Sequence, residues 1–322
     1  MNLQTKKDEF LSNVQNKQRF INCLGNRLER TGCDVHHARG DADVLVVETA
    51  VVCAEQRQTV VVADDTDIPV LLIHHAVHVK NNIWFQPNPK KKNTKAPRCW
   101  NIAATRHHLG SNVCSNIIFA HALLGCDTTS RVFGIGKSKA VVKLKNDNVF
   151  ARQAEVFLDS TSNTEDVVKA GELCLVSLYN GDDDESLDDL RLRTFYSKTT
   201  RSTAAVEPHS LPPTSAAAKY HSLRVYQQVQ VWFGHGDQVP PDQWGWKVSE
   251  GKLAPILTDN TPAPQKLLKV IRCNCKTGCY SLRCICRKNG LDCSMACGEC
   301  RGVCANISLS ADTDSEEDPT ER

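Results

Sequence analysis

The sequence predicts an α/β fold: a parallel sheet with flanking helices, then a helical connector and a small irregular metal-held domain. Three observations predict it. The run Thr59–Ala63 is short, β-branched and not alternating, the pattern of a strand buried on both faces of a parallel sheet. Segments of helical length and periodicity flank it and continue toward residue 233. Nine of the 16 cysteines fall within residues 273–304, too dense for a hydrophobic core and suited to metal.

The elements follow in order. Residues 10–31 carry Leu11, Val14, Phe20, Ile21, Leu24 and Leu28 as a helical stripe with a polar reverse face, and Gly32 is a stop signal. Residues 42–54 are long enough for a crossover helix, and 82–86 read as a further strand. Residues 87–97, with Lys90–Lys92, form an exposed loop. Residues 112–124 (NVCSNIIFAHALL) make a buried helix that stops at Gly125, and a turn-rich stretch leads to a short basic helix. Helical patterning runs through 147–178, and NGDDDESLDD is an acidic loop or helix start. Residues 200–215 read as a linker, 216–233 as a helix, and Trp232, Trp244 and Trp246 as a satellite core. The expected division is 1–150, a truncated nuclease-type unit argued below; 151–200, a helical extension; 201–218, a linker; 219–270, a Trp-containing connector; 271–306, the cysteine domain; and 307–322, an acidic disordered tail.

Composition limits the classes. The chain has 322 residues, enough for about two domains, with net charge +2, 41% hydrophobic and 24% charged residues. A global field for nucleic acid or membrane is excluded, so any such signal is local. No apolar run reaches transmembrane length, and MNLQTKKDEF lacks the apolar core of a signal peptide. A reducing compartment is therefore expected, with thiols free or metal-bound. Cys23, Cys33, Cys53, Cys99, Cys114, Cys126 and Cys174 read as small core residues.

The C-terminal cysteines are Cys273, Cys275, Cys279, Cys284, Cys286, Cys293, Cys297, Cys300 and Cys304. An odd count with two Cys-x-Cys pairs disfavours a disulfide framework. Zinc takes four tetrahedral thiolates, so three zinc ions need twelve positions; nine thiolates supply them when three bridge. The segment CNCKTGCYSLRCICRKNGLDCSMACGECRGVCAN resembles the CXC domain of the tesmin family and of the dosage-compensation ubiquitin ligase. That resemblance implies a cluster of about three zinc ions and, in several members, a DNA-binding surface. Tesmin-type proteins usually carry two repeats and a tyrosine before the fourth cysteine; here there is one repeat, with Arg283 at that position, as in the ligase type. Arg272, Lys276, Arg283, Arg287, Lys288 and Arg301 outnumber Asp292 and Glu299. Part of that charge offsets the thiolates. The remainder suits phosphates, with Arg283 the leading groove contact and Arg287 and Lys288 beside it. A structural or protein-binding module is the other reading.

Aspartates form the second constellation. Asp65 and Asp67 follow the strand at its carboxyl end, where open parallel sheets place ligands, and alternation would aim both one way. Asp41 and Asp43 converge only if they straddle a helix start, and Asp127 follows the buried helix. Converging carboxylates imply Mg2+ or Mn2+; as scattered surface acids they imply nothing. GDAD, VVADDTD and LLGCDTTSRVFGIGKSKAVVKL, in that order, resemble motifs of the flap-endonuclease and PIN-like nuclease superfamily. The resemblance covers roughly residues 30–145. It implies that Asp41, Asp43, Asp65, Asp67 and Asp127 bind catalytic Mg2+ or Mn2+ for phosphodiester cleavage. By the same resemblance Gly134, Gly136, Lys137 and Lys139 hold the DNA backbone. The family's first strand, its first metal-binding aspartate, a second acid and a basic residue have no counterpart before residue 30, which implies a truncated, impaired nuclease unit. GIGKS lacks the earlier glycine of a phosphate loop, Arg131 standing there. Glu48 shares a helix face with Asp41 but reads as solubilising, and His74 and His78 as solvent-facing. The later arrangement, LPPTSAAAKYHSLRVYQQVQVWFG, then WGWK, then the cysteines, is similar to transposon-associated animal proteins. The joint expectation is a nuclear protein that binds zinc and DNA and spans no membrane.

Overall fold

A computed structural model describes residues 6–38, 40–88, 98–201, 206–258, 273–276, 278–289, 291–293 and 297–306. The loop lysines Lys90–Lys92, the tail 307–322, Arg272 and parts of the expected linker and connector lie outside them. The fold mixes helices with two small sheets and ends in the cysteine cluster.

The N-terminal helical stretch is broken in two, α1 (Lys7–Ser12) and α2 (Val14–Glu29). Asn13 makes the break, its side chain accepting the Asn16 N–H and so starting a new helix. Val14, Phe20, Ile21, Leu24 and Leu28 stay exposed on α2; periodicity identifies an apolar face, not what covers it.

Next come α3 (Asp43–Gln56), β1 (Thr59–Ala63), α4 (Asp67–His75) and β2 (Ile83–Pro87). β1 and β2 pair in parallel, Thr59 opposite Ile83, with α4 as the crossover. The expected all-parallel sheet is corrected on two points. β3 (Trp100–Asn101) pairs antiparallel with β2, giving a mixed three-stranded order β1-β2-β3. β1 is also an edge strand, with Val61 buried and Val60 and Val62 exposed at 55% and 54%. The β-branched run thus reports strand propensity while only one face is covered. The helix over residues 43–56 precedes β1 and joins no two described strands.

Helices α5 (Ile102–Leu109) and α6 (Ser111–Leu123) follow, then α7 (Lys137–Asn146), α8 (Asn148–Leu158), α9 (Thr164–Leu178), α10 (Leu187–Arg201) and α11 (Ser215–Trp232). One core runs through them, with Ile118, Phe119 and Leu123 of α6, Phe157 of α8, Leu175 of α9 and Tyr226 of α11 nearly or fully buried. Trp232 and Trp244 belong to this same core rather than to a satellite, Trp244 stacking on Tyr226 at 4.3 Å. Of the seven scattered cysteines only Cys114 and Cys174 are buried.

Helix α11 is enclosed on nearly all sides, so its polar residues need partners. They find the carbonyls that helix ends leave unpaired. His221 Nε2–H donates to Leu123 O at 2.8 Å, Gln230 to Phe157 O at 3.0 Å, and the Tyr226 hydroxyl to Asp159 O at 2.9 Å. Burial pushes His221 down to about 4, keeping it neutral. The effect is to lock the C-terminal end of α6, from which the Asp127 turn departs. A short hairpin, β4 (Trp246–Ser249) and β5 (Lys252–Pro255), closes this part. Among the described residues no helix is long and apolar enough to cross a membrane.

Candidate metal centres

The acidic constellation assembles at helix starts. Asp43 is the first residue of α3 and Asp41 precedes it, so the pair straddles the helix start. β1 ends at Ala63; Asp65 lies in the turn and Asp67 opens α4. Strand alternation therefore does not align these two, contrary to expectation. A turn does, Asp65 Oδ1 accepting the Asp67 N–H at 2.9 Å. One carboxylate oxygen from each of Asp43, Asp65 and Asp67 lies within 4.8 Å of the others. Burial, followed by the charges of Asp41, Asp65, Asp67 and Asp127, raises the Asp43 carboxyl to about 7. Asp41 and Asp127 thus act on the group by charge and stand outside its closest trio.

A cleft of about 400 Å³ adjoins the trio, lined by Asp67, Asp127, Arg131, Gly136 and Lys137 among others. The Asp127 turn is fixed from two sides. Gly125 has φ 107°, and a Cβ there would meet the Arg131 backbone at 2.8 Å. Thr129 Oγ1 donates to Ala122 O at 2.6 Å and Thr128 Oγ1 to Gln228 of α11. Gly134, at φ 73°, supplies the bend before α7. Gly136 and Lys137 reach the cleft wall, whereas Lys139 lies about 200° around the helix, outside that wall.

His121 was missed by sequence reasoning. It is 4% exposed near the end of α6, with Nε2 2.6 Å from Asp67 Oδ1 and Nδ1 2.8 Å from Lys137 Nζ. The available signal was a titratable residue inside an otherwise apolar helix. His74 is half-buried rather than solvent-facing, its Nδ1 3.2 Å from Cys114 O, and burial holds it near 4.

Three oxygen-only donors under mutual repulsion suit a hard divalent cation such as Mg2+ or Mn2+. Asp43, Asp65 and Asp67 would hold it.

The cysteine cluster has the opposite chemistry. None of the nine cysteines forms a disulfide. Cys273 Sγ lies 3.7 Å from Cys279, 3.8 Å from Cys293 and 3.7 Å from Cys300; Cys284 and Cys293 are 3.7 Å apart, and Cys286 and Cys297 3.6 Å. A tetrahedral zinc with Zn–S of about 2.3 Å spaces its sulfurs by about 3.8 Å. The sulfurs are therefore at zinc spacing, and the cluster can hold zinc. Four-cysteine groups overlap: Cys273, Cys279, Cys293 and Cys300; Cys273, Cys284, Cys286 and Cys293; and Cys273, Cys275, Cys279 and Cys284. Cys273 belongs to all three, and Cys279, Cys284 and Cys293 to two each, the pairwise sharing that bridging thiolates require.

Backbone bonds hold this knot: Gly298 N–H to Cys273 O at 2.9 Å and Cys293 N–H to Asn306 O at 2.8 Å. Burial pushes the Cys273 thiol to about 12 and Cys286 to about 11. At Cys284 burial is outweighed by the Arg287 backbone N–H and neighbouring thiols, leaving it near 6. Arg283, Arg287 and Lys288 are exposed around a short helix, α12 (Ile285–Lys288). Arg287 is partly committed internally, donating to Cys279 O at 3.1 Å, where Cys279 adopts φ 59°.

Compared with family models, curated proteins and solved structures, the chain matches none.

Proposed function

We propose that the chain is a zinc-binding, nucleic-acid-associated protein whose acidic cleft is a PIN-like, Mg2+- or Mn2+-dependent phosphodiesterase site. The observation that carries this reading is the convergence of Asp43, Asp65 and Asp67 beside a cleft lined by Lys137 and Arg131. A bound divalent cation would supply charge neutralisation and polarisation of a phosphoryl oxygen. The chain's own groups do the rest. The carboxylates fix the cation, Asp41 and Asp127 deepen the negative field, and Lys137 and Arg131 draw in the phosphate. Gly134, Gly136 and the start of α7 track the backbone, with Lys139 on the adjoining face.

In this reading residues 1–150 form the nuclease-like unit, 151–200 and 219–270 its helical additions around the 201–218 linker, and 271–306 a tesmin-type CXC module with about three zinc ions. Arg283 and Lys288 supply its phosphate contacts, with Arg287 shared between DNA and Cys279. The acidic tail 307–322 lies outside the described residues. DNA is the partner and the nucleus the compartment.

The test is cleavage of labelled single-stranded and duplex DNA by zinc-loaded protein with Mg2+ or Mn2+. Metal-dependent cleavage that Asp65→Asn and Asp127→Asn abolish supports the reading; no cleavage, or cleavage indifferent to both changes, overturns it. A non-catalytic DNA-, chromatin- or protein-binding role through the CXC module is favoured by one observation. Tyr280, Leu282, Ile285 and Val303 are exposed on the module that carries Arg283 and Lys288, a combination suited to partner contact. DNA retention that survives both aspartate changes without cleavage would identify that role.

A further inference from the structure

The ends of three helices meet at one side of the cleft. Asp67 opens α4, His121 lies near the end of α6 and Lys137 opens α7. Asp67 Oδ1 lies 2.6 Å from His121 Nε2, and Lys137 Nζ lies against the same ring, 2.8 Å from Nδ1 and 3.4 Å from Nε2. Asp67 and His121 are 7% and 4% exposed, so water competes little for the bond between them, whereas Lys137 is exposed. Trp232 of α11 packs against the imidazole with ring centroids 5.9 Å apart.

Chemistry assigns the protons. A carboxylate only accepts, so Nε2–H donates to Asp67 Oδ1. Lys137 Nζ, a donor, lies nearer Nδ1 than Nε2, so Nδ1 is its acceptor. A histidine in this arrangement fixes the direction of the carboxylate it touches, the relation seen when an outer residue orients a metal ligand. The resemblance assigns Lys137 to the DNA backbone and assigns nothing to His121.

We propose that His121 is a positioning residue for Asp67 and that Lys137 sets its tautomer. Asp67 is thereby held with one oxygen bonded to imidazole and its remaining lone pairs available for a divalent cation. Lys137 has two further N–H donors. It can contact a substrate phosphate while still bonded to His121, which links the cation side of the cleft to the phosphate side. This inference rests on the cation-binding reading above.

Two measurements on the zinc-loaded full chain test it separately from that reading. The first is 15N NMR of histidine side chains without added Mg2+ or Mn2+. His121 is expected as the Nε2–H tautomer, and Lys137→Met should mix or reverse the tautomers; an Nδ1–H tautomer in the unaltered protein overturns the inference. The second is Mn2+ titration. His121→Leu should weaken Mn2+ binding by about 10- to 100-fold, whereas His121→Gln, which keeps an N–H donor, should stay within about threefold of wild type. Equal affinity in folded His121→Leu overturns the positioning role and leaves the cation reading standing; no Mn2+ binding by wild type overturns both. Should His121→Leu fail to fold by circular dichroism, Lys137→Met carries the test. A loss of about three- to tenfold in Mn2+ affinity supports the relay, and no loss overturns it.

Discussion

The acidic cleft and the cysteine knot both crowd like groups together, but they stand on different foundations. Asp43, Asp65, Asp67 and Asp127 sit at the ends of helices and turns already held by a core of Ile118, Phe119, Leu123, Phe157 and Tyr226. The cleft is therefore shaped without a cation, and burial followed by repulsion among its carboxylates raises the Asp43 pKa. In the knot the buried cluster consists, among the described residues, of cysteines. A segment of that size cannot sustain a hydrophobic core, so metal and fold are one event there. On the proposed reading a cation completes a structure in one region and makes one in the other.

The largest effect expected from this contrast is on zinc removal. Strong chelation should unfold residues 273–306 while α6, α9 and α11 keep their protection in hydrogen exchange, since structural zinc contributes about 10 kcal/mol or more to such modules. Cys273→Ser, at the sulfur shared by all three four-cysteine groups, should lower zinc content further than Cys304→Ser. Equal zinc loss in the two variants would count against shared thiolates.

Next in size is Gly125→Ala. A side chain at φ 107° against the Arg131 backbone should cost about 2 kcal/mol in thermal unfolding of the main core. It should also weaken Mn2+ binding by shifting Asp127. Unchanged unfolding would mean that the turn is more pliant than its geometry indicates.

A smaller effect concerns pH. Asp43 has a folded pKa of about 7 against 3.8 ordinarily, so the folded state holds its proton longer than the unfolded state. Stability of the protein without Mg2+ or Mn2+ should thus fall as pH rises from about 4 to about 7 and level off above. With solvent screening the effect is on the order of 1 kcal/mol. Asp43→Asn should flatten that slope, as should Mg2+; a slope that persists in Asp43→Asn places its origin elsewhere. Smallest of all, Arg283→Ala should reduce the salt dependence of DNA retention by about one phosphate contact.

Much of this organisation was legible in sequence where one residue type dominates a local pattern. The cysteine spacing announced the knot; segment length announced α3, an apolar run ending at Gly125 announced α6, and a shared helical side announced α11. The acids at 41, 43, 65, 67 and 127 were legible as a set, although the mechanism that joins Asp65 to Asp67 was not. Sequence pointed to strand alternation; the structure uses a side-chain turn at a helix start. Other features depend on tertiary context that no local pattern carries. β3 is two residues long, and the exposure of Val60 and Val62 depends on what lies over the sheet. His121 sits in an apolar run, and its role arises only from Asp67, 54 residues away, and Lys137. The polar residues of α11 look like a solvated face until the carbonyls they satisfy are placed.

The most direct test of the contrast is Mn2+ titration of the zinc-loaded full chain, with free Mn2+ followed by electron paramagnetic resonance. The account predicts saturable binding without loss of zinc. Asp43→Asn or Asp65→Asn should abolish it, and Asp127→Asn, outside the closest trio, should only weaken it. Binding that is absent in wild type, or that displaces zinc and ignores all three substitutions, would contradict it.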